Sequence, residues 1–225
     1  MKLSISNIAW GNQNISPFLK LIKDQGCDGV EIAPSLIWPE PLDANETEKK
    51  SFQNELKKYS LEFVGFHSLL FSRPDLQLFL NKETKEKTIN YIYELIKLCS
   101  DLGGQHLIFG SPKNRLLHGK KYNKCIEQIY EDFFKISECG KKYKVCFCIE
   151  PLFDHGNEFI KTLDEGGKIV KKINHPYFKL HLDTKTLFGA LEDPEKIINN
   201  YINVIQHVHI SDQDLNEPGT KNKGH

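Results

Sequence analysis

Three short segments end in side chains able to bind a metal ion. Cys148-Ile149-Glu150-Pro151 closes an apolar run with a carboxylate, and His181-Leu182-Asp183-Thr184 does the same. His207-Val208-His209-Ile210-Ser211-Asp212 closes a third run with two histidines. Alternate residues of a strand share a face, so His207 lies below His209 and His181 below Asp183. A carboxylate at a buried strand end is costly unless paired or metal-bound. Two carboxylates at one site also repel each other. A divalent cation removes both penalties. Oxygen and nitrogen donors from Glu150, Asp183 and His209 suit Mn²⁺, Co²⁺, Mg²⁺ or Zn²⁺. A lone strand-end acid is more often a cap or a salt-bridge partner. Three such ends in succession favour one divalent metal ion. His181 and His207, one layer deeper, read as interior hydrogen-bonding residues rather than ligands.

Residues so far apart in sequence meet only if a repeating architecture brings strand ends together. β-type runs are expected at Leu3–Ala9, Gly29–Ala33, Glu62–Ser68, His106–Phe109, Val145–Glu150, Phe178–Asp183 and Val204–Ser211. Helical periodicity separates them. Helices are expected over Pro17–Gln25, Glu46–Tyr59, Glu83–Leu102, Tyr122–Cys139, Leu163–Ile173 and Pro194–Tyr201. The longest two are expected to stop at Gly103-Gly104 and at Gly140. Strand alternating with helix means parallel strands joined by crossover helices. No G-x-G-x-x-G or G-x-x-x-x-G-K-[ST] loop follows a strand, which disfavours nucleotide-binding sheets. Polar residues gather at the strand ends, as in a (β/α)₈ TIM barrel, whose active site forms at that face. Such barrels have about 250 residues and eight strands. Seven strands are readable here, so the last βα unit looks absent from a chain read as one domain over residues 1–225. An alternative is an irregular element hidden in Ser35–Asn45.

The chain has 225 residues, of which 39% are hydrophobic and 27% charged. That composition excludes a disordered or low-complexity chain. Thirty basic residues balance thirty acidic ones, which disfavours a nucleic-acid partner. No apolar run is long enough to span a membrane, and the N-terminus has no signal-peptide pattern. The six cysteines include no C-x-x-C pair. They read as small buried hydrophobes in a reducing cytoplasm.

Other strand-end residues could line a site. Lys113 and Arg115 lie in Ser111-Pro112-Lys113-Asn114-Arg115 after strand four. They could hold a phosphate or carboxylate, Arg by a bidentate fork, or be exposed loop charges. His67 could bond a substrate hydroxyl or be a satisfied structural histidine. Glu31 reads as orienting a ligand or a neighbouring histidine. Trp10 could wall a pocket or pack in the core. Asp154, His155 and Glu158 read as a solvated loop.

The chain resembles the xylose isomerase-like superfamily of sugar isomerases and epimerases, which shares its barrel with apurinic endonucleases. It is most similar to the sugar phosphate isomerase/epimerase type. The matching pieces are Ser6-Asn7-Ile8-Ala9-Trp10, Gly29-Val30-Glu31-Ile32-Ala33-Pro34, Phe109-Gly110-Ser111-Pro112-Lys113-Asn114-Arg115, Cys148-Ile149-Glu150-Pro151 and His207-Val208-His209-Ile210-Ser211. The resemblance implies a metal held by Glu150, Asp183 and His209, with a fourth ligand, a strand-eight Glu, that has no counterpart. Thr186 stands where the family often has a histidine. The family's strand-five and strand-eight glutamates move a proton beside a carbonyl, so Glu150 would act as the base. The implied activity is a metal-dependent isomerase or epimerase of a small sugar or sugar phosphate. The alternatives are a catalytically impaired binding module, because the second glutamate is absent, and, less favoured, an apurinic endonuclease. Open edges at strands one and seven would invite a homo-oligomer, poor stability, or closure by the tail Asn216–His225.

Overall fold

A computed structural model describes residues 2–11, 13–153 and 156–211. Seven parallel strands form one sheet in sequential order. They are β1 (Ser4–Ser6), β2 (Gly29–Ile32), β3 (Glu62–Phe66), β4 (His106–Phe109), β5 (Cys146–Ile149), β6 (Phe178–Asp183) and β7 (Ile205–His209). The helices are α1 (Ile15–Asp24), α2 (Glu46–Lys58), α3 (Lys82–Asp101), α4 (Tyr122–Tyr143), α5 (Leu163–Ile173), α6 (Thr184–Gly189) and α7 (Pro194–Tyr201). The sheet curls so far that His209 of β7 reaches Glu31 of β2. Among the described residues this is a TIM barrel with seven strands and no eighth. Among the described residues, β7 and β1 do not pair with each other.

Helix starts follow side-chain caps. Asn45 and Glu48 form a reciprocal capping box at α2, and Thr162 and Glu165 form another at α5. These satisfy backbone N–H groups that a helix start leaves unpaired. The end expected at Gly140 is passed, because α4 continues to Tyr143 and stops at Lys144 in the left-handed conformation. Gly140 serves packing instead: a Cβ there would lie 2.4 Å from the Val145 carbonyl oxygen. The first expected strand is shorter than its apolar run, since Asn7–Ala9 turns into a 3-10 helix. The buried Asn7 side chain causes the turn to dock on β2, its Oδ1 accepting from Ala33 N at 2.7 Å. Ser35–Asn45 does hide irregular structure, in 3-10 turns at Pro34–Leu36 and Pro41–Asp43.

The main core lies between the sheet and its helices. Phe109, Phe133, Phe147 and Phe178 interlock there, with ring centroids 5.5–6.1 Å apart. Each such buried side chain contributes about 1.5–3 kcal/mol relative to exposure. The barrel lumen is different. Its apolar content separates into a small cluster of Ile108, Cys146 and Cys148. TIM barrel lumens are usually filled by branched aliphatic residues. Here His181 pairs with His207 in register, Asp183 with His209, and His106 with Cys146. All six cysteines are free, and five of them are buried.

Candidate metal centre at the strand ends

Glu150 directly follows β5, Asp183 ends β6 and His209 ends β7. Parallel pairing without a large stagger brings these ends to one level. One ligand atom from each of the three lies within 4.8 Å of the others. The ends are also tied together. Thr184 Oγ1 donates to the Ser211 carbonyl and accepts from Ser211 N, both at 2.9 Å. Asp183 Oδ1 accepts from Ser211 Oγ at 2.9 Å and from Lys185 N at 2.8 Å. The second of these bonds caps α6. Sequence reasoning assigned Ser211 no role, although its hydroxyl fixes the Asp183 carboxylate.

Glu150 sits in a tight seat. Its Oε2 occupies the space a side chain at Gly110 would need, 2.1 Å from an ideal Cβ there. Burial lifts its carboxyl to about 7, with the charges of Asp183 and Glu31 adding and those of His209 and Arg115 opposing. A carboxyl so placed titrates where proton transfer at neutral pH is most effective.

His209 donates from Nε2 to Glu31 Oε2 at 2.5 Å, while Nδ1 faces Glu150 Oε1 at 4.0 Å. Burial works against its protonated form. The Glu31 carboxylate outweighs that by charge and hydrogen bond, lifting the imidazole to about 9. Metal-binding histidines commonly donate their other ring N–H to a carboxylate, which fixes the ring. The Glu31–His209 pair has that form, with Nδ1 turned to the two acids. The donor set and this outer carboxylate therefore fit a divalent cation. Glu31 is buried, and burial works against its charge. The nearby histidines prevail and hold the carboxyl well below its usual range.

Register shifts occur at Val30/Glu31 and at Leu180/His181. Such irregularities re-aim side chains next to functional sites. No local sequence signal marks either one.

The remaining candidates fall into place around this centre. His67 has both nitrogens near serine hydroxyls, Ser6 Oγ at 2.7 Å and Ser68 Oγ at 3.3 Å. Burial drives it down to about 4, so it is neutral. Trp10 packs in the core, stacked on Phe18 with centroids 5.2 Å apart. Arg115 is not on the loop surface: it is fully buried, with Nη2 donating to the Glu150 carbonyl at 2.9 Å. Lys113 is exposed on the 3-10 turn Pro112–Asn114. Glu158 is exposed, with its Oε2 also accepting from Leu117 N at 2.6 Å. Asp154 and His155 lie outside the described residues, as does the tail Asn216–His225. Thr186 is buried and donates to the Pro151 carbonyl at 2.9 Å.

Ser111 had no place in the sequence reading as a site residue. It is buried with φ 42° and ψ 63°, and its Oγ has no hydrogen-bond partner among the described residues. A non-glycine residue in this left-handed region is uncommon, and such residues gather at functional sites. The Gly110-Ser111-Pro112 sequence, a glycine and a proline flanking a polar residue at a strand end, was the available signal.

Residues 19–224 match the xylose isomerase-like TIM barrel family, and the chain belongs to it. Solved structures share the fold. One is the 3-keto-D-glucoside 4-epimerase of E. coli in its apo form, at 16% identity and a TM-score of 0.80, covering 98% of this chain and 82% of that one. Another is the D-psicose 3-epimerase of Clostridium cellulolyticum H10 with D-tagatose, at 18% identity and 0.81, covering 97% and 76%. A third is the "probable 3-DHS dehydratase" AsbF of Bacillus anthracis, at 19% identity and 0.72, covering 98% and 77%. No curated protein matches the sequence.

Proposed function

We propose that the chain is a metal-dependent sugar or sugar-phosphate isomerase or epimerase that moves a proton beside a carbonyl. The observation that carries this reading is the Glu150, Asp183 and His209 cluster with Glu31 behind the histidine. Family membership and the sugar epimerases among the structural neighbours support it.

Glu150, Asp183 and His209 would hold the cation. When bound, a divalent ion polarises a substrate carbonyl and makes the neighbouring C–H more acidic. Glu150 is the general base: its oxygens differ, with Oε1 facing His209 and Oε2 seated over Gly110. Arg115 holds the Glu150 main chain, and Asp183 is held by Ser211. Glu31 keeps the His209 ring turned toward the acids. A single base can lift a proton from one carbon and return it to the next, which suits aldose–ketose isomerisation. Lys113 is the exposed cation near strand four for an anionic substrate group. The alternative, a sugar-binding module without turnover, rests on Glu150 having no strand-eight glutamate opposite it among the described residues. The setting of the reaction is the cytoplasm, and no described helix is long and apolar enough to cross a membrane.

The test combines Mn²⁺ loading with a ketose and aldose panel in D₂O, followed by NMR. Deuterium entering the substrate beside its carbonyl, abolished in Glu150→Gln, is the expected result. Saturable sugar binding without any exchange would favour the binding module. Neither binding nor exchange would defeat both.

A further inference from the structure

Below the carboxylates lies a second group of donors, two of which the reaction does not use. One ring nitrogen from each of His181, His207 and His209 lies within 4.8 Å of the others. The rings crowd together, with centroids 4.1 Å apart for His181 and His209 and 5.3 Å for His207 with either. His106 stacks on His207 at 5.3 Å.

The nitrogens of His181 and the Nε2 of His207 are buried and unsatisfied. Neither His181 Nδ1 nor Nε2 has a hydrogen-bond partner among the described residues, although the side chain is fully buried. His207 Nε2 and Glu31 Oε1 are in the same condition, 3.1 Å apart but misaligned for a hydrogen bond. Each buried, unpaired polar atom costs about 1–3 kcal/mol. Several facing one another mark a place for a bound species. The species must accept nitrogen lone pairs and tolerate a buried carboxylate, which describes a cation. Imidazole donors favour Zn²⁺, Cu²⁺ or Ni²⁺, whereas carboxylate oxygens suit Mg²⁺ and Mn²⁺.

We propose that His181, His207 and His209, backed by Glu31, form a second cation site selective for a transition metal such as Zn²⁺. His209 belongs to this group and to the carboxylate group. A neutral imidazole offers one lone pair, and serving both sites at once would need His209 as a bridging imidazolate, so the two sites compete for this ring and Zn²⁺ in the lumen would disfavour metal in the working site above it. This competition rests on the carboxylate site reading; the histidine site does not.

Equilibrium dialysis with elemental analysis measures Zn²⁺ and Mn²⁺ on the unmodified chain, on His207→Gln and on Asp183→Asn. The expected result is that each metal binds alone and each displaces the other. His207→Gln should lose Zn²⁺ affinity by more than the roughly 10–100-fold that loss of an outer hydrogen-bond partner costs, while still binding Mn²⁺. Asp183→Asn should show the reverse. Retained Mn²⁺ binding reports that His207→Gln is folded; if it is not, His181→Asn replaces it. Cobalt gives a readout without mutation: strong visible absorption from a low-coordinate, nitrogen-rich centre that Mn²⁺ does not bleach at equal occupancy would argue against competition. Zn²⁺ lost in Asp183→Asn but unchanged in His207→Gln would overturn the proposal. If Mn²⁺ binds and Zn²⁺ does not, the histidine site falls and the carboxylate reading stands. If Zn²⁺ binds through His207 and Mn²⁺ never binds, the carboxylate reading falls and the histidine site stands.

Discussion

Glu31 shows how a residue can govern a site without reaching its centre. It holds His209 by one oxygen and lies against His207 with the other. Removing an outer carboxylate typically weakens metal binding about 10–100-fold. Glu31→Gln is expected to lose Mn²⁺ affinity in that range, read by calorimetry. An unchanged affinity would mean that His209 is fixed by other contacts. Gly110 makes a second test at this scale. Its backbone tolerates alanine, but the added Cβ would meet Glu150 Oε2. Gly110→Ala should displace the carboxylate and weaken Mn²⁺ binding, with little change in melting temperature because the neighbour is a movable side-chain tip. At the residue scale much of the site was legible. A carboxylate or imidazole ending an apolar run is a local pattern, and Glu150, Asp183 and His209 do meet. Arg115 was not legible, because a long cation beside a loop reads as exposed and only tertiary packing shows that it is buried.

At the level of elements, the apolar alternation of strands and the stripes of long helices survive in one dimension. That is why six crossover helices could be read close to their observed positions. The short α6 could not, since Thr184–Gly189 offers too few residues for a periodic face and depends on the Asp183 cap. The register shifts beside Glu31 and His181 were equally invisible, because they arise between strands rather than along one. The α5–α7 junction carries a pH prediction. Asp164 is held below its usual range by the Lys168 hydrogen bond first and the Tyr201 hydroxyl next. A carboxyl depressed in the folded state adds stability above its unfolded value near 4, and loses it as pH falls through the folded value. Asp164→Asn should therefore lower the urea midpoint at pH 7 and converge with the unmodified chain in stronger acid. A gap independent of pH would assign the effect to packing.

For the whole molecule, the open sheet has consequences beyond the site. β1 and β7 present free edges among the described residues, and exposed apolar side chains flank them: Leu3, Val208 and Ile210. Unpaired edges with apolar neighbours recruit other strands. Self-association is thus expected, with light scattering giving a mass above 26.0 kDa that rises with concentration. Ile210→Lys should shift it toward the monomer. A concentration-independent monomer would show the edges to be protected in solution. The seven-stranded count and its order were readable from the sequence, whereas the degree of curl was not, because it is set by long-range contacts such as His209 with Glu31.

The polar lumen also bears on how the barrel survives its gap. In a ring sealed around a greasy plug, a missing stave would let water into the main source of cohesion. Here cohesion resides in the outer sleeve, where phenylalanines bind sheet to helices, and the axis is a wick of imidazole and carboxylate that loses little by being wet. Among the described residues, the edge between β7 and β1 is therefore lined by the part of the barrel that depends least on staying dry.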